Sequence, residues 1–207
     1  MSVNRIIHQL WVGDPAKRPV CMMETWRNLN SSCRYILWTE ENLRYFNFEN
    51  QKQIDLMKEL NGKCDIMRWE ILNRLGGVFA DADSECVAPL DDLFFDNDAF
   101  LCYENEEECG DLLACCVMGF SEGHQLLRLA IDGLHGVTEF VGDAWVMCGP
   151  LYITNIVKAH PEFPVTIYPS YHFIPEHGWH GYKYKGDGKV YAHHYGGSTF
   201  NIYGTLK

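Results

Sequence analysis

Apolar residues recur along this chain in short runs, and turn-forming residues separate one run from the next. A short bounded apolar run predicts a buried strand, whereas apolar positions at helical spacing predict a helix. Strands and helices alternate under these rules, which predicts an α/β fold: helices packed on a mostly parallel sheet, with ligands at the carboxyl ends of its strands. The predicted strands are residues 6–12, 35–39, 78–81, 100–104 and 114–120, and the predicted helices are residues 19–28, 51–60, 65–75 and 123–134.

The most informative stretch, residues 64–83, reads CDIMRWEILNRLGGVFADAD. Gly76 and Gly77 indicate the end of a helix, and the apolar run after them indicates a buried strand that leads to Asp81 and Asp83. Side chains two residues apart on an extended chain point the same way, so the two carboxylates can converge on one hard divalent cation. A solvated acidic turn is the alternative, and the glycine pair followed by a buried strand argues against it.

Asp65 and Arg68 stand three residues apart on the predicted helix, a spacing that makes their side chains neighbours on one face. Taken alone, the two form a surface ion pair worth at most a few tenths of a kcal/mol. Taken with Asp81 and Asp83, they complete the pattern D-x-x-R followed by G-G-V-F-x-D-x-D. This pattern resembles the DXD sugar-transferase family, glycosyltransferase family 32.

Four further blocks carry the same resemblance. I-I-H-Q-L-W-V-G resembles the family's first strand, whose end, here Leu10 and Trp11, usually carries the nucleotide base. Y-I-L-W-T resembles the second strand, and C-G-P-L-Y-I-T resembles a T-G-P block with Cys148 in place of the usual threonine. A-H-H-Y-G-G-S-T-F resembles the last block, although its final aromatic is displaced by one residue. That block leaves His193 and His194 as alternatives for one position.

The resemblance implies a single GT-A domain that binds a nucleoside-diphosphate sugar, most often a UDP-sugar, together with Mn²⁺ or Mg²⁺. It implies transfer of the sugar to a glycan or glycoprotein acceptor, mostly with retention of configuration. A short chain of this kind also resembles glycosyltransferases of large algal (chlorella) viruses that act on capsid glycans. The implied donor-binding residues are Leu10, Trp11, Asp65, Arg68, Asp81, Ala82 and Ser198, the implied metal ligands are Asp83 and His193, and the implied catalytic residues are Asp81 and Asp83.

The chemistry of such a donor explains these residue types. Cleavage of the sugar C1–O bond leaves a diphosphate, so a cation fixed across the phosphate oxygens supplies the largest stabilisation. A histidine ligand such as His193 favours manganese over magnesium. Inversion of configuration would also need a general base near the acceptor, and Asp143, just before the C-G-P block, is the best-placed acid in sequence. Because the family mostly retains configuration, Asp143 is equally an acceptor-site candidate.

Length and charge narrow the class of protein. A chain of 207 residues with 47% hydrophobic content fits one domain, in which residues 1–120 would bind the donor and residues 121–207 would form the acceptor part and a C-terminal lid. The formal charge of −11 argues against a nucleic-acid partner, because such binding depends on Lys and Arg at phosphates. A charged donor would therefore need local help from a metal and Arg68.

Cysteine usage and hydropathy bear on location. Nine cysteines without a C-x-x-C pair favour reduced thiols over disulfides or a zinc site. The N-terminus shows no apolar signal region, and the chain contains no apolar run long enough to span a membrane. These observations together predict a cytoplasmic protein.

Two segments break the alternation of strands and helices. Residues 104–111, ENEEECGD, are either a solvated acidic loop or a lip of the acceptor site that favours neutral sugar hydroxyls. Residues 168–195 are dense in aromatic residues and glycine, which suits either a mobile lid over a sugar or the packing of a long loop. Because binding residues alone do not prove turnover, a non-catalytic nucleotide-sugar binding module remains the alternative function.

Overall fold

The computed structural model of the chain describes residues 1–178, 181–197 and 199–206. The strands are β1 Ile6–Leu10, β2 Arg34–Trp38, β3 Gly77–Ala80, β4 Ser84–Cys86, β5 Ala99–Tyr103, β6 Leu113–Phe120, β7 Thr166–Tyr168, β8 Glu176–His177, β9 Tyr182–Lys183 and β10 Ala192–His194. The helices are α1 Val20–Leu29, α2 Glu40–Leu43, α3 Gln51–Leu56, α4 Leu60–Leu75, α5 Asp92–Phe95, α6 Gln125–His135, α7 Ala144–Met147 and α8 Pro150–Ala159, with short 3-10 helices at Pro15–Lys17 and Ser170–His172.

A six-stranded sheet in the order β2-β1-β3-β6-β5-β7 forms the centre of the fold. β1 runs parallel to both β2 and β3, and β5 runs parallel to β7. Only β6 is reversed, because it pairs antiparallel with β3 on one side and with β5 on the other. The predicted α/β class with a mostly parallel sheet is therefore confirmed.

Hydrophobic cores cover both faces of this sheet. Neighbouring residues of β5 alternate between them: Leu101 belongs to the core formed with α4, α6 and α8, and Phe100 to the core formed with α1 and α5. This alternation follows from the pleat of a strand, in which successive side chains point to opposite faces. Helices on both faces leave the strand ends as the accessible edge, where ligands bind in folds of this type.

The predicted helix 51–60 is wrong at its end, and the next helix begins earlier than predicted. α3 stops at Leu56 because Met57 adopts an extended backbone, with φ −68° and ψ 126°. α4 then begins at Leu60, five residues before the predicted start at Asp65. Gly62 lies in its first turn, where an added Cβ would come within 2.6 Å of the sulfur of Met57. Because α4 is buried on several faces, its sequence lacks a one-sided apolar stripe, which is the pattern from which the extent of a helix is predicted.

The double glycine joins α4 to β3 and lets the strand lie close to β1. Gly76 and Gly77 both have positive φ, 58° and 105°. A Cβ on Gly77 would lie 2.6 Å from the carbonyl oxygen of Ile6, so the pairing of β1 with β3 requires glycine here. The His8 ring fixes the same junction: its Nε2 lies 2.9 Å from the Gly76 oxygen, and its Nδ1 lies 3.1 Å from the indole nitrogen of Trp38.

The aromatic segment 168–195 is largely tied to the core. Tyr171 stacks on Tyr184 at 4.2 Å between ring centroids, and the Phe94 ring contacts both His172 and Tyr191. Packing therefore accounts for these rings, whereas Trp179 and His180 lie outside the described residues. The role of the segment as a lid stays a prediction.

Two further findings concern the whole chain. None of the nine cysteines is paired in a disulfide. Within the described residues, the helices are too short or too polar to cross a lipid bilayer.

Candidate active site

The Asp81–Asp83 turn follows β3 at the accessible edge of the sheet, and buried polar groups hold its backbone. The carbonyl oxygen of Asp81 accepts hydrogen bonds from Gln9 Nε2 at 3.2 Å and from Ser84 Oγ at 2.6 Å. Gln9 is held in turn by the hydroxyl of Tyr35, which donates to Gln9 Oε1 at 2.7 Å. Buried groups with complete hydrogen bonding rigidify their surroundings, so the turn is presented in one conformation.

Arg68 lies at the centre of a buried charge cluster. Its Nη2 donates to Asp81 Oδ1 at 2.8 Å and lies 3.3 Å from Asp65 Oδ1, while its Nη1 donates to the carbonyl oxygen of Cys115 at 2.5 Å. The guanidinium also lies 4.8 Å above the ring of Phe79. Burial lowers the pKa of Arg68, but the negative charges of Asp81 and Asp65 raise it by a larger amount. The net shift is upward, so the guanidinium stays charged. Burial raises the pKa of Asp65 to about 7 although Arg68 opposes that shift.

The C-G-P block packs behind this cluster. A Cβ on Gly149 would lie 2.6 Å from Asp65 Oδ2, so only glycine fits at this contact. Trp69 Nε1 donates to the carbonyl oxygen of Cys148 at 2.9 Å and ties the block to α4. The resemblance at C-G-P thus corresponds to a close approach that positions Asp65.

Asp83 connects the strand edge to the C-terminal part of the chain. Its side chain is almost fully buried, and its Oδ2 accepts a hydrogen bond from the backbone N–H of Gly197. Its carbonyl oxygen accepts from the N–H of Tyr195 at 3.0 Å. Burial raises the pKa of Asp83, but the neighbouring His194 and the Gly197 N–H outweigh it, so the pKa lies below its usual value.

One nitrogen of His194 completes a convergent set of ligand atoms. His194 Nε2 lies 3.6 Å from Asp81 Oδ2 and 3.5 Å from Asp83 Oδ1. One ligand atom from each residue lies within 4.8 Å of the other two. Burial lowers the pKa of His194, but Asp83 and Asp81 raise it well above the usual value. Two carboxylates and an imidazole are ligands that suit Mn²⁺ or Mg²⁺, so the residues present fit the implied metal.

The position of the histidine differs from the prediction. The sequence left His193 and His194 as alternatives, with His193 as the expected metal ligand, and the structure brings His194 to Asp81 and Asp83 instead. β10 pairs antiparallel with β4 in a register that sets His194 opposite Ser84 and His193 opposite Glu85. Because successive side chains on a strand point to opposite faces, His193 turns away and its ring stacks near Tyr195, 6.5 Å between centroids.

A cleft of about 460 Å³ opens above these groups, and we call it the main cleft. Its wall contains most of the predicted site residues: Leu10, Trp11, Asp65, Arg68, Asp81, Ala82 and Asp83. Asp143 does not line it; it precedes α7 as the N-cap residue, and its side chain faces solvent. Ser198 lies outside the described residues. Trp145 also lines the cleft and is 44% exposed.

Trp11 lies at one end of the main cleft with little free surface. Its indole nitrogen donates to the carbonyl oxygen of Asp14 at 3.2 Å. Its ring meets the ring of Tyr203 edge to face at 5.0 Å, so the C-terminal residues cover it. The predicted contact with a nucleotide base stays a prediction.

The sequence analysis missed the residues that support the site. His8 and Gln9 were interpreted only as part of a strand motif, although each is completely buried and hydrogen-bonded at the strand junction. Two adjacent polar residues inside an apolar run were the available signal, because buried polar groups need partners. Glu104, part of the acidic run, also lines the main cleft.

The α/β fold thus presents a D-x-D turn at a strand edge that lines the main cleft. Residues 16–100 match a protein family described as "Glycosyltransferase sugar-binding region containing DXD motif". The match covers the region that carries the D-x-x-R and D-x-D motifs, and its description agrees with the resemblance that these motifs predicted.

Two curated relatives of the chain are named as mannosyltransferases. Inositol phosphoceramide mannosyltransferase 3 of Schizosaccharomyces pombe is 26% identical over 86% of this chain and 49% of its own length. Inositol phosphoceramide mannosyltransferase 1 of the same yeast is 33% identical over 44% of this chain and 31% of its own. The chain therefore spans at most about half the length of these relatives.

Two solved structures share the fold. The PaToxG glycosyltransferase superposes with a TM-score of 0.60 at 14% identity and covers 79% of this chain and 71% of that one. A glycosyltransferase involved in the glycosylation of the major capsid of PBCV-1 superposes with a TM-score of 0.53 at 11% identity and covers 80% and 81%.

Proposed function

We propose that the protein is a metal-dependent glycosyltransferase that moves a sugar from a nucleoside-diphosphate sugar, most simply a UDP-sugar, to a glycan or glycoprotein acceptor. The observation that carries the proposal is the convergence of Asp81, Asp83 and His194 within 4.8 Å in the main cleft, beside the buried Arg68. The family match of residues 16–100 supports sugar transfer as the class of reaction.

Different residues of the chain would bind different parts of the donor. Asp81, Asp83 and His194 would hold Mn²⁺ or Mg²⁺, which when bound neutralises charge on the diphosphate. Arg68 is fixed by its acidic neighbours, and its buried Nε has no hydrogen-bond partner within the described residues. That nitrogen is closed to solvent, so Arg68 would act on the nucleotide sugar through its positive charge, which favours a bound diphosphate. The Asp65 carboxylate would accept hydrogen bonds from sugar hydroxyls.

Stereochemistry and location form part of the same proposal. Asp143 faces solvent outside the main cleft, which supports retention over inversion by that carboxylate. Trp11, at the end of the cleft, would lie against the nucleotide base. Nine free thiols support a reducing compartment such as the cytoplasm as the place of action.

The relatives widen the panel of substrates to test. The names of the yeast relatives point to mannose among donor sugars and to an inositol-bearing lipid among acceptors. The capsid glycosyltransferase adds protein-linked glycans. We therefore include UDP- and GDP-linked hexoses, mannose among them, in the donor panel.

The test is nucleotide release from these donors in the presence of Mn²⁺. We expect slow release from one donor without acceptor, dependence on Mn²⁺, and loss of about a hundredfold or more in Asp83→Asn, because a metal ligand is removed. Asp187→Asn, an exposed aspartate outside the main cleft, serves as the matched control. Donor binding with release at background in every arm, glycan acceptors included, would establish the binding module instead.

A further inference from the structure

A second cleft of about 360 Å³ adjoins the main cleft. The volume lies in the range of small-molecule sites, which begins at about 300 Å³. The two clefts share four lining residues: Glu104, His194, Gly196 and Thr199. A molecule in the second cleft therefore touches the same groups as a donor bound in the main cleft.

Glu104 lies at the same edge of the sheet as Trp11 and Asp81, at the end of a different strand. Trp11 follows β1, Asp81 follows β3, and Glu104 follows β5, with Cys115 of β6 between the last two. Three strand-to-strand steps separate β1 from β5, which amounts to about 14 Å across the sheet edge. With the base at Trp11 and the diphosphate at Asp81, as proposed above, the sugar would lie towards Cys115 and its transferred carbon towards Glu104.

Glu104 differs from the other acids of its loop. Its side chain is 26% exposed, faces both clefts, and lies 3.4 Å from His177 Nε2 through Oε1. Glu106 accepts hydrogen bonds from the N–H and hydroxyl of Ser170 and so anchors the C-terminal segment. Glu107 faces solvent. Of these three glutamates, Glu104 faces the clefts, Glu106 anchors the C-terminal segment and Glu107 is exposed to water.

The second cleft has the chemistry of a site for a neutral polyhydroxylated ligand. Its wall combines carboxylates with rings and apolar groups, among them Glu104, Glu176, His193, Tyr195 and Phe200. Carboxylates accept hydrogen bonds from hydroxyls, and ring faces pack against the C–H groups of a sugar. Glu176 is paired with Lys183 at 3.1 Å, so Glu104 is the carboxylate of this wall that would disfavour an anionic ligand.

We propose that the second cleft binds the acceptor as a neutral sugar or cyclitol ring, and that Glu104 accepts a hydrogen bond from the acceptor hydroxyl that takes the transferred sugar. His177 positions the Glu104 carboxylate. This inference rests on the proposed glycosyltransferase function and adds to it a location and a chemical class for the acceptor.

The test compares Glu104→Gln with wild type and with Glu107→Gln, an exposed glutamate of the same loop. Acceptor probes are methyl α-mannopyranoside and myo-inositol, with mannose 6-phosphate as the anionic counterpart. The KM values for acceptor and for donor are measured separately. In Glu104→Gln we expect a rise of about tenfold or more in the acceptor KM, because a hydrogen bond to a charged group is lost. The preference for neutral over phosphorylated acceptor should shrink in the same variant, and Glu107→Gln should behave as wild type.

The contrary outcomes are distinct. An unchanged acceptor KM in Glu104→Gln overturns the inference and leaves the glycosyltransferase function standing. An equal rise in the donor KM assigns Glu104 to the donor site and also overturns it. Absence of donor binding and turnover in the wild-type protein overturns the proposed function itself, and the acceptor site with it.

Discussion

The two walls of the main cleft are built on different principles. The N-terminal wall consists of β1, α4 and the Asp81–Asp83 turn, and its buried polar groups bond to one another. The C-terminal wall consists of β10 and residues 195–197 and 199–206, and it joins the site through a three-residue strand pairing and the hydrogen bonds of Asp83. The buried groups of the first wall bond to one another, whereas part of the attachment of the second wall runs through Asp83, a proposed metal ligand.

The largest effect should come from the charge cluster of the N-terminal wall. Arg68→Gln leaves Asp65 and Asp81 without their buried partner, and breaking a buried ion pair costs about 3 to 5 kcal/mol. We expect urea unfolding to show this loss. Arg128→Gln, which breaks an exposed network with Glu49 and Asp132, should cost about 1 kcal/mol or less. Equal losses in the two variants would show that the buried cluster does not stabilise the N-terminal wall.

The next effect concerns acid sensitivity of the same wall. Burial lowers the pKa of His8 from 6.5 to about 4, and neutral His8 also accepts at Nδ1 from the Trp38 indole. The folded state thus prefers neutral His8, and this contribution to stability is complete above pH 6.5. As the pH falls from 6.5 towards 4, the unfolded chain takes up the proton first, and about 3 kcal/mol is lost.

Urea unfolding across this pH range measures that loss. His8→Phe should be less stable at pH 7 because the Gly76 oxygen loses its donor, yet its stability should fall less steeply with pH. A wild-type and a variant profile with the same slope would contradict the assignment of this acid sensitivity to His8.

A smaller effect should be confined to the C-terminal wall. Asp83→Ala removes the acceptor of the Gly197 N–H, so local opening of residues 195–206 becomes easier. We expect amide exchange in this segment to accelerate about tenfold, while the free energy of unfolding of the whole protein changes by about 1 kcal/mol. Arg68→Gln should show the opposite pattern. It should lower the free energy of unfolding of the whole protein, with a smaller effect on local opening of the C-terminal wall. Exchange in residues 195–206 that is unchanged in Asp83→Ala would remove the distinction between the walls.

The same contrast explains what the sequence could predict. Asp65, Arg68, Asp81 and Asp83 are close in sequence, and local rules for helix faces and strand alternation bring them together. His194 reaches them only through the pairing of β4 with β10, which joins distant parts of the chain. Strands of three residues carry no periodic signal, so neither their pairing nor its register could be predicted, and a one-residue choice between adjacent histidines follows from register alone.

Closeness in sequence to the C-G-P block did not indicate where Asp143 lies in the fold. Asp143 precedes the C-G-P block, and Gly149 of that block does contact Asp65. Asp143 nevertheless stands before α7 as its N-cap residue, with its side chain exposed and outside the residues that line the main cleft. Helix boundaries near α3 and α4 failed for a related reason, because burial on several faces removes the pattern on which such predictions depend.

The central claim is that Asp81, Asp83 and His194 hold one divalent cation. Its most direct measurement is the titration of Mn²⁺ into wild-type protein, His194→Ala and His193→Ala in the presence of UDP, with free Mn²⁺ followed by electron paramagnetic resonance. We predict that His194→Ala weakens Mn²⁺ binding at least tenfold and that His193→Ala stays within about twofold of wild type. Loss of binding in His193→Ala with retention in His194→Ala, or equal binding in all three proteins, would contradict the account.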